Sequence, residues 1–255
     1  MPMLDPYFVA VAVFTVLLVG LSKAGLLGSL GMVGVPLLSL IMPARDAAGV
    51  LLPVLIAMDI IAVYAYRNDV DWRLLRIMLP GAAVGTLVGW VLWSFVSDDM
   101  VLLFVGIVTL LFILDAILPL RKKLEGLPPS RPWGIFWGSF AGFTSFISHT
   151  GGPPYQIYAL PQRLPPAIYA GTSAVFFFIV NSAKLIPYFF LGQLNVHNLQ
   201  LSAMFIPVGI AGVFAGIFLV RRISMQLFYR IAYWLVFLLA LKLVWDGARG
   251  VFLGL

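Results

Sequence analysis

The chain alternates long apolar runs with short polar loops, and this alternation limits its possible folds more than any other feature. Of its 255 residues, 62% are hydrophobic and 10% are charged, far from the balance of a soluble globular protein. A helix needs about 20 apolar residues to cross a bilayer, and six runs are long enough. The sequence therefore predicts an all-α, polytopic membrane protein. The ten apolar segments are 7–21, 26–42, 47–66, 74–96, 100–120, 133–148, 154–160, 167–191, 199–220 and 225–245.

The four remaining segments form two pairs, and each pair flanks a stretch that a helix cannot cross intact. In the second stretch, Gly-Gly-Pro-Pro at 151–154, proline lacks an N–H and glycine is a poor helix former. One helix should therefore end near His149, and another should begin at the prolines. The first stretch, 20–36, is glycine-rich and should resume as a helix around Pro36. Each pair is either two short spans or a re-entrant hairpin, and an ordinary turn is the simpler alternative.

The two stretches occupy equivalent places in a duplicated chain. We expect a first membrane repeat over 1–120, a basic cytoplasmic linker over 121–132 and a second repeat over 133–255, each repeat having about five helical segments. At an offset of 122 residues Gly20 matches Gly142, Pro43 matches Pro165, Gly49 matches Gly171, Asp59 matches Asn181 and Tyr66 matches Tyr188; at an offset of 127, Pro80 matches Pro207, Gly85 matches Gly212 and Gly89 matches Gly216.

Lysine and arginine lie mainly in alternate loops, and this predicts the orientation of the repeats. Basic loops are normally cytoplasmic, so the net charge of +6 indicates topology rather than nucleic-acid binding. Matched loops of the two halves differ in charge, which predicts that the second repeat is inverted relative to the first. The basic loop residues are Arg67, Arg73, Arg76, Arg121, Lys122, Lys123, Arg131, Arg163, Arg221, Arg222 and Arg230.

Both breaks are candidate sites for a small anion. A helix that begins beside a cavity offers unpaired N–H groups and the positive end of its dipole. A charge inside an apolar segment usually faces a partner or a cavity, which adds two lysines. The alternatives are structural, since Lys23 can end a helix, Lys184 can snorkel and His149 can be a structural donor. The candidate substrate-binding residues are Ser148, His149, Thr150, Gly151 and Gly152 at the second break, Lys23, Gly28, Ser29 and Gly31 at the first, and Lys184.

Asp59 is the most informative charge, because its equivalent in the second half is the neutral Asn181. One half then holds a possible proton or sodium site, and the other holds an amide of almost the same shape. We expect this pair to bind a coupling ion. The alternative is an ion pair of Asp59 with Lys23 or Lys184.

The break sequences GLLGSLGMVGVP and SHTGGPPYQIYALP, followed by YFFLGQL at 188–194, resemble the TauE/SafE sulfite exporter family, also called the 4-toluene sulfonate uptake permease family. The resemblance covers nearly the whole chain. It implies a multi-pass transporter of the bacterial inner membrane that moves small sulfur-containing anions such as sulfite or organosulfonates, and the family name favours export. Inverted repeats with discontinuous helices imply secondary active transport by alternating access.

The sequence lacks the residues that several other classes of protein require. The chain has no cysteine, which excludes disulfides and thiolate metal sites, and it has no GxxxxGK[ST] nucleotide motif. The driving force should be the anion gradient, the membrane potential, or coupled protons or sodium. We expect no cofactor, no metal and no enzyme activity, and the sequence gives no oligomeric state. An anion channel is the nearest alternative, and an intramembrane enzyme is a more distant one.

The inverted topology is tested by tagging the linker and both termini. A tag at Gly126 should be accessible only from the cytoplasm, whereas tags at Met1 and Leu255 should be accessible only from outside, because five segments per half invert the second copy. Labelling of intact and permeabilised cells measures this. A cytoplasmic C-terminus would contradict the inverted repeat.

Overall fold

A computed structural model describes residues 5–23, 30–93, 95–117, 130–219 and 225–253. The described residues contain helices and no strand, which confirms the all-α class. Two 3-10 turns, Leu30–Val33 and Leu160–Gln162, accompany the α-helices. The α-helices are α1 (Pro6–Leu21), α2 (Gly34–Leu38), α3 (Ala44–Ala65), α4 (Trp72–Trp93), α5 (Asp98–Ile117), α6 (Arg131–Ser148), α7 (Gly152–Ala159), α8 (Pro166–Phe190), α9 (Val196–Leu219) and α10 (Met225–Leu253).

Four of the described helices are long and apolar enough to cross a bilayer, namely α3, α4, α8 and most of α9. Each has at least 21 residues, or about 30 Å of helix at 1.5 Å per residue. These four confirm a polytopic membrane protein. The two other predicted spans fall on α5 and α10, and their crossing stays a prediction.

Both breaks are followed by a short helix, as the sequence predicts. α6 ends at Ser148, where His149 adopts a left-handed conformation with φ 57°, and α7 begins at Gly152. In the first half, α2 has 5 residues, against 8 in α7. At 1.5 Å per residue neither helix reaches across about 30 Å of hydrocarbon. α2 and α7 therefore do not span the bilayer on their own.

Helices from the two halves pack through glycines. α1 packs along α9, and α6 packs along α4. A Cβ atom added at Gly20 of α1 would lie 2.6 Å from the Gly209 carbonyl oxygen of α9. One added at Gly142 of α6 would lie 2.1 Å from the Ala82 carbonyl oxygen of α4. In each pair the first helix of one half lies against the fourth α-helix of the other, with backbone against backbone.

The buried side chains form two apolar clusters. The larger surrounds α3 and takes residues from α1, α9 and α10, and the smaller lies between α4, α7 and α8. Pro43 and Pro165 cap the N-termini of α3 and α8 with nearly equal backbone angles. Equivalent helices of the two halves thus begin in the same way. The inverted orientation of the halves stays a prediction.

The backbone contact between α4 and α6 predicts an unusual sign for one substitution. Alanine normally stabilises a helix relative to glycine, but a Cβ atom at Gly85 would lie 1.8 Å from the Ser139 carbonyl oxygen. Gly85→Ala should therefore lower the free energy of unfolding by about 1–3 kcal/mol. Thermal unfolding in detergent measures the change. Val84→Ala, on the exposed face of the same helix, is the control, and equal stability of both variants would contradict this packing.

Candidate functional site

Hydroxyl groups form hydrogen bonds with one another and with the backbone at the C-terminal end of α6, at the second break. The Ser148 and Thr150 hydroxyls lie 2.8 Å apart, and the Thr144 hydroxyl donates to the Thr150 carbonyl oxygen at 3.2 Å. All three side chains are buried. Backbone groups in an apolar environment need such internal partners. Ser148 and Thr150, which the sequence analysis assigns to the substrate, are thus engaged within the break, and their substrate role stays a prediction.

The His149 side chain extends away from the break and contacts two other helices. Its Nε2 lies 2.9 Å from the Ala48 carbonyl oxygen of α3, and its Nδ1 lies 2.7 Å from Lys184 Nζ of α8. A carbonyl oxygen only accepts, so Nε2 carries the proton and Nδ1 accepts from the lysine. Both ring nitrogens therefore have protein partners, and the imidazole positions Lys184.

Lys184 is fully buried, with 0% of its surface exposed. Besides His149 it donates to the Ser145 carbonyl oxygen at 2.9 Å and to the Ser145 hydroxyl at 3.0 Å. An ammonium has three N–H groups, and here each finds an acceptor. This arrangement fixes the amine beside the end of α6 rather than letting it reach a lipid interface.

Asp59 is also fully buried and holds together the first break and α8. One carboxylate oxygen pairs with Lys23, which follows α1, and the other accepts from the Asn181 amide at 2.7 Å. A buried carboxylate needs such partners, since it is otherwise expensive in an apolar medium. The ion pair that the sequence analysis weighed as an alternative is present between Asp59 and Lys23.

The contact between Asp59 and Asn181 joins two residues that the predicted repeat alignment makes equivalent. Equivalent residues touch one another when they lie near the axis that relates the copies. Lys23 corresponds in the same alignment to Ser145, the residue that holds Lys184. Each half thus has an ammonium at this level, but the first half carries it after its first helix and the second half carries it on its third.

A cavity of about 100 Å³ opens between the two breaks. Of the candidate residues it is lined by Lys23, Gly31, His149, Gly152 and Asn181. Asp59 and Lys184 lie behind this lining and contact it through their hydrogen bonds. The complete lining is Ser22, Lys23, Gly31, Met32, Leu55, Ala62, Ser145, His149, Gly152, Tyr155, Gln156, Tyr169, Ala170, Ser173, Ala174, Phe177 and Asn181.

Glycines at the breaks have different environments. A Cβ atom at Gly152 would meet no described atom within 4 Å, so the backbone there faces open space. One at Gly151 would lie 2.7 Å from the Ala141 carbonyl oxygen, so that glycine allows α6 to approach. The Gly31 amide donates to the Ser22 hydroxyl at 2.7 Å. Gly28 and Ser29, the other candidates at the first break, lie outside the described residues.

Comparison with known proteins identifies the family. Residues 12–243, most of the chain, match the family model described as Sulfite exporter TauE/SafE. The chain belongs to the TauE/SafE family. No curated protein and no solved structure matches it. Family membership and the apolar helices together indicate a membrane transporter. The family match also confirms the resemblance that the break sequences suggested.

The cavity of this TauE/SafE protein includes residues that the sequence analysis missed. Tyr169, Ser173 and Phe177 precede Asn181 at intervals of four residues, which places all four on one face of α8. Tyr155 and Gln156 follow Gly152 at helical spacing on α7. The helical spacing of these residues from Asn181 and from Gly152 could have indicated a shared face. Aromatic residues at such spacing, however, usually pack in the core of a protein.

The ion pair between Lys23 and Asp59 can be measured with a double-mutant cycle. Asp59→Asn leaves the ammonium without its carboxylate and should lower the free energy of unfolding by about 3 kcal/mol, the low end for buried pairs because 18% of the Lys23 side chain is exposed. Adding Lys23→Met should restore much of that stability. Thermal unfolding in detergent gives the coupling energy.

The exposed pair Lys242 and Asp246 on α10 is the matched control. The double-mutant cycle of this pair should give a coupling energy of only about 0.5 kcal/mol, as for other exposed pairs in a helix. If the Asp59 cycle gave no more than this control, Lys23 and Asp59 would not stabilise the protein as a pair.

Proposed function

We propose that this chain moves small sulfur-containing anions, such as sulfite or organosulfonates, across the bacterial inner membrane by secondary active transport. The observation that carries the proposal is the cavity that both helix breaks share, with Lys23 from the first break and Gly152 from the second in its lining. Discontinuous helices that meet near the bilayer centre are a common basis for transporter sites. Export is the direction that the family description favours.

The charges around the cavity favour an anion. Lys23 lines it, Lys184 lies behind the lining, and Asp59 is the carboxylate that contacts the first of these lysines. With both lysines protonated, this set carries one net positive charge. A cationic set in an apolar, low-dielectric surrounding attracts an anion far more strongly than it would in water.

The start of α7 adds backbone donors. The next two residues after Gly152 are Pro153 and Pro154, which have no N–H. The sequence analysis expects unpaired N–H groups at this helix start, and the two prolines restrict such donors to the glycines themselves. Because Gly152 faces the cavity and Gly151 packs against α6, the Gly152 amide is the backbone donor that we assign to the anion.

Asp59 and Asn181 are proposed as the coupling site for a proton. Both Asp59 oxygens are occupied by nitrogen donors, Lys23 on one and Asn181 on the other, an arrangement unlike the oxygen cage that a sodium ion requires. An anion that draws Lys23 away leaves the buried carboxylate without its cation, so another positive charge has to take the place of the ammonium. The Asp59→Asn variant reports on this role through the pH dependence of flux, and an unchanged dependence would contradict it.

Alternating access distinguishes this proposal from its rivals. A transporter saturates and shows counterflow of labelled substrate, whereas an anion channel does neither. An intramembrane enzyme would convert its ligand into a product. Flux measurements in proteoliposomes separate the first two, and recovery of unaltered substrate excludes the third. Purified protein should first be titrated with sulfite, thiosulfate, sulfoacetate and methanesulfonate, and binding of none of them would contradict the proposal.

Gly152 provides the sharpest test of the site. Gly152→Leu should abolish anion binding, because the side chain fills the space that the anion needs, and it should leave folding intact because a Cβ atom there meets no described atom within 4 Å. Calorimetric titration and thermal unfolding measure the two effects. Ala83→Leu introduces the same side chain on the exposed face of α4 and is the control. Normal anion affinity in Gly152→Leu would refute close approach of the anion to this backbone.

A further inference from the structure

The cavity follows only one part of the length of α8. This helix contributes Tyr169, Ser173, Phe177 and Asn181 to the lining, and their spacing of four residues places them on one face. The lining thus runs for about 18 Å along the helix, from its first turn to beyond its middle. No described residue of α8 after Asn181 lines the cavity. The cavity therefore extends from the centre of the protein toward the end where α8 begins.

The end where α8 begins is the one that the loop charges predict to be cytoplasmic. A Cβ atom at Gly171, near the start of α8, would lie 2.0 Å from the carbonyl oxygen of Asp69, which follows α3. One at Gly49, near the start of α3, would lie 2.5 Å from the carbonyl oxygen of Gln193, which follows α8. The two helices are therefore antiparallel. We call the end that carries Arg67 the basic end and the opposite end the far end.

The same face of α8 continues beyond the cavity, where other helices cover it. Lys184 and Tyr188 follow Asn181 at helical spacing, and neither has any exposed surface. The Tyr188 hydroxyl donates to the Phe146 carbonyl oxygen at 2.6 Å. Phe146 lies in the last turn of α6, where carbonyl groups lack an amide partner within the helix. This bond ties α6 to α8 on the far side of Lys184.

Three aromatic rings pack at the same level. The ring centroid of Phe146 lies 5.3 Å from that of Tyr188 and 5.7 Å from that of Trp93, at the end of α4. All three residues are buried. Trp93 and Phe146 belong to helices that pack backbone against backbone, whereas Tyr188 belongs to α8. The Tyr188 contacts thus join the α4 and α6 pair to α8 and leave no open path at the far end.

The two ends differ at positions that the predicted repeat alignment makes equivalent. Ala170 lines the cavity, whereas its equivalent Ala48 has 0% of its surface exposed and accepts from His149 through its carbonyl oxygen. Tyr66, the equivalent of Tyr188, is only half-buried at the basic end. One end is therefore open and the other closed at matched positions. Exchange of these two arrangements would open the opposite end, as in other inverted-repeat transporters.

We propose that Tyr188 is a gating residue, and that its contacts with Phe146 and Trp93 close the far end of a transport path along α8. This inference rests on the function proposed above and adds the side to which the cavity opens in this structure, the basic end. When the Tyr188 contacts break, the path continues along the same helix face past Lys184. The lysine that this structure keeps behind the cavity lining then meets the anion.

The closed end can be tested with cysteine labelling, because the chain has no cysteine of its own. Ala170→Cys and Ala48→Cys place a thiol at equivalent positions of the two halves in the full-length protein. In membranes without added anion, a membrane-impermeant maleimide should modify Ala170→Cys from the basic end and leave Ala48→Cys unmodified from either side. Equal labelling of the two variants, or protection of both, would overturn the proposal without any change at Tyr188.

Tyr188→Phe then tests the gate itself, since it keeps the ring and removes the hydrogen bond to Phe146. Losing one such bond should make the open far end about five-fold more populated. The labelling rate of Ala48→Cys should rise by the same factor when Tyr188→Phe is added. An unchanged labelling rate together with a lowered melting temperature would show that the bond is structural only and would refute the gate.

Tyr158→Phe is the matched control. The Tyr158 hydroxyl also donates to a backbone carbonyl oxygen, that of Ser130, at 3.2 Å, but this bond lies within the hairpin of α6 and α7. Its loss should lower the melting temperature and leave the labelling rate of Ala48→Cys unchanged. If both tyrosine variants accelerated labelling equally, the effect would be general loosening of the fold, and the assignment of Tyr188 would be wrong.

The outcomes separate this inference from the proposed function, because the labelling needs no anion. If the cysteine variants behave as expected but no anion of the panel binds, the proposed function fails and the gate stands for a path that serves another solute. If an anion binds and Tyr188→Phe leaves the labelling of Ala48→Cys unchanged, the function stands and the gate fails.

Discussion

The arrangement of helices beside the cavity depends on one buried carboxylate, that of Asp59. Asp59 has no exposed surface, and a charge in such a place is tolerated only with close partners of opposite charge or with hydrogen-bond donors. It finds both, in Lys23 beside the first break and Asn181 on α8. The need to neutralise one charge therefore brings an interrupted helix of the first half against a continuous helix of the second, and the cavity forms beside that junction.

Much of the fold could be predicted from the sequence because apolar length and helix-breaking residues act locally. The four described spans and the end of α6 at Ser148 follow from hydropathy and from the Gly-Gly-Pro-Pro sequence. The candidate site was harder, because its contacts depend on tertiary structure. The sequence offered two lysines as partners of Asp59, and the tertiary structure decides for Lys23, because Lys184 is held by Ser145 and His149 instead. The sequence analysis missed Tyr155 of the cavity lining for the same reason, since aromatic residues in apolar helices normally belong to the core.

The duplicated halves are chemically unequal where they meet. Position 23 holds a lysine and its equivalent, 145, a serine, while position 184 holds a lysine and its equivalent, 62, an alanine. Ala62 and Ser145 both line the cavity, where small side chains leave room. If the two halves are repeats, as the sequence predicts, differences at a few equivalent positions make the cavity they share chemically asymmetric, with Asp59 behind one side and Asn181 in the lining of the other.

The glycine contacts described for α1 with α9 and for α4 with α6 also define the mechanical parts of the protein. Backbone touches backbone in both pairs, so no flexible side chain lies between the helices to absorb sliding. Each pair takes one helix from each half. We infer that each pair moves as one unit, so the units that stay together combine helices from both halves of the chain. A rearrangement around the cavity would then displace these paired helices relative to α3, α8 and the short helices α2 and α7.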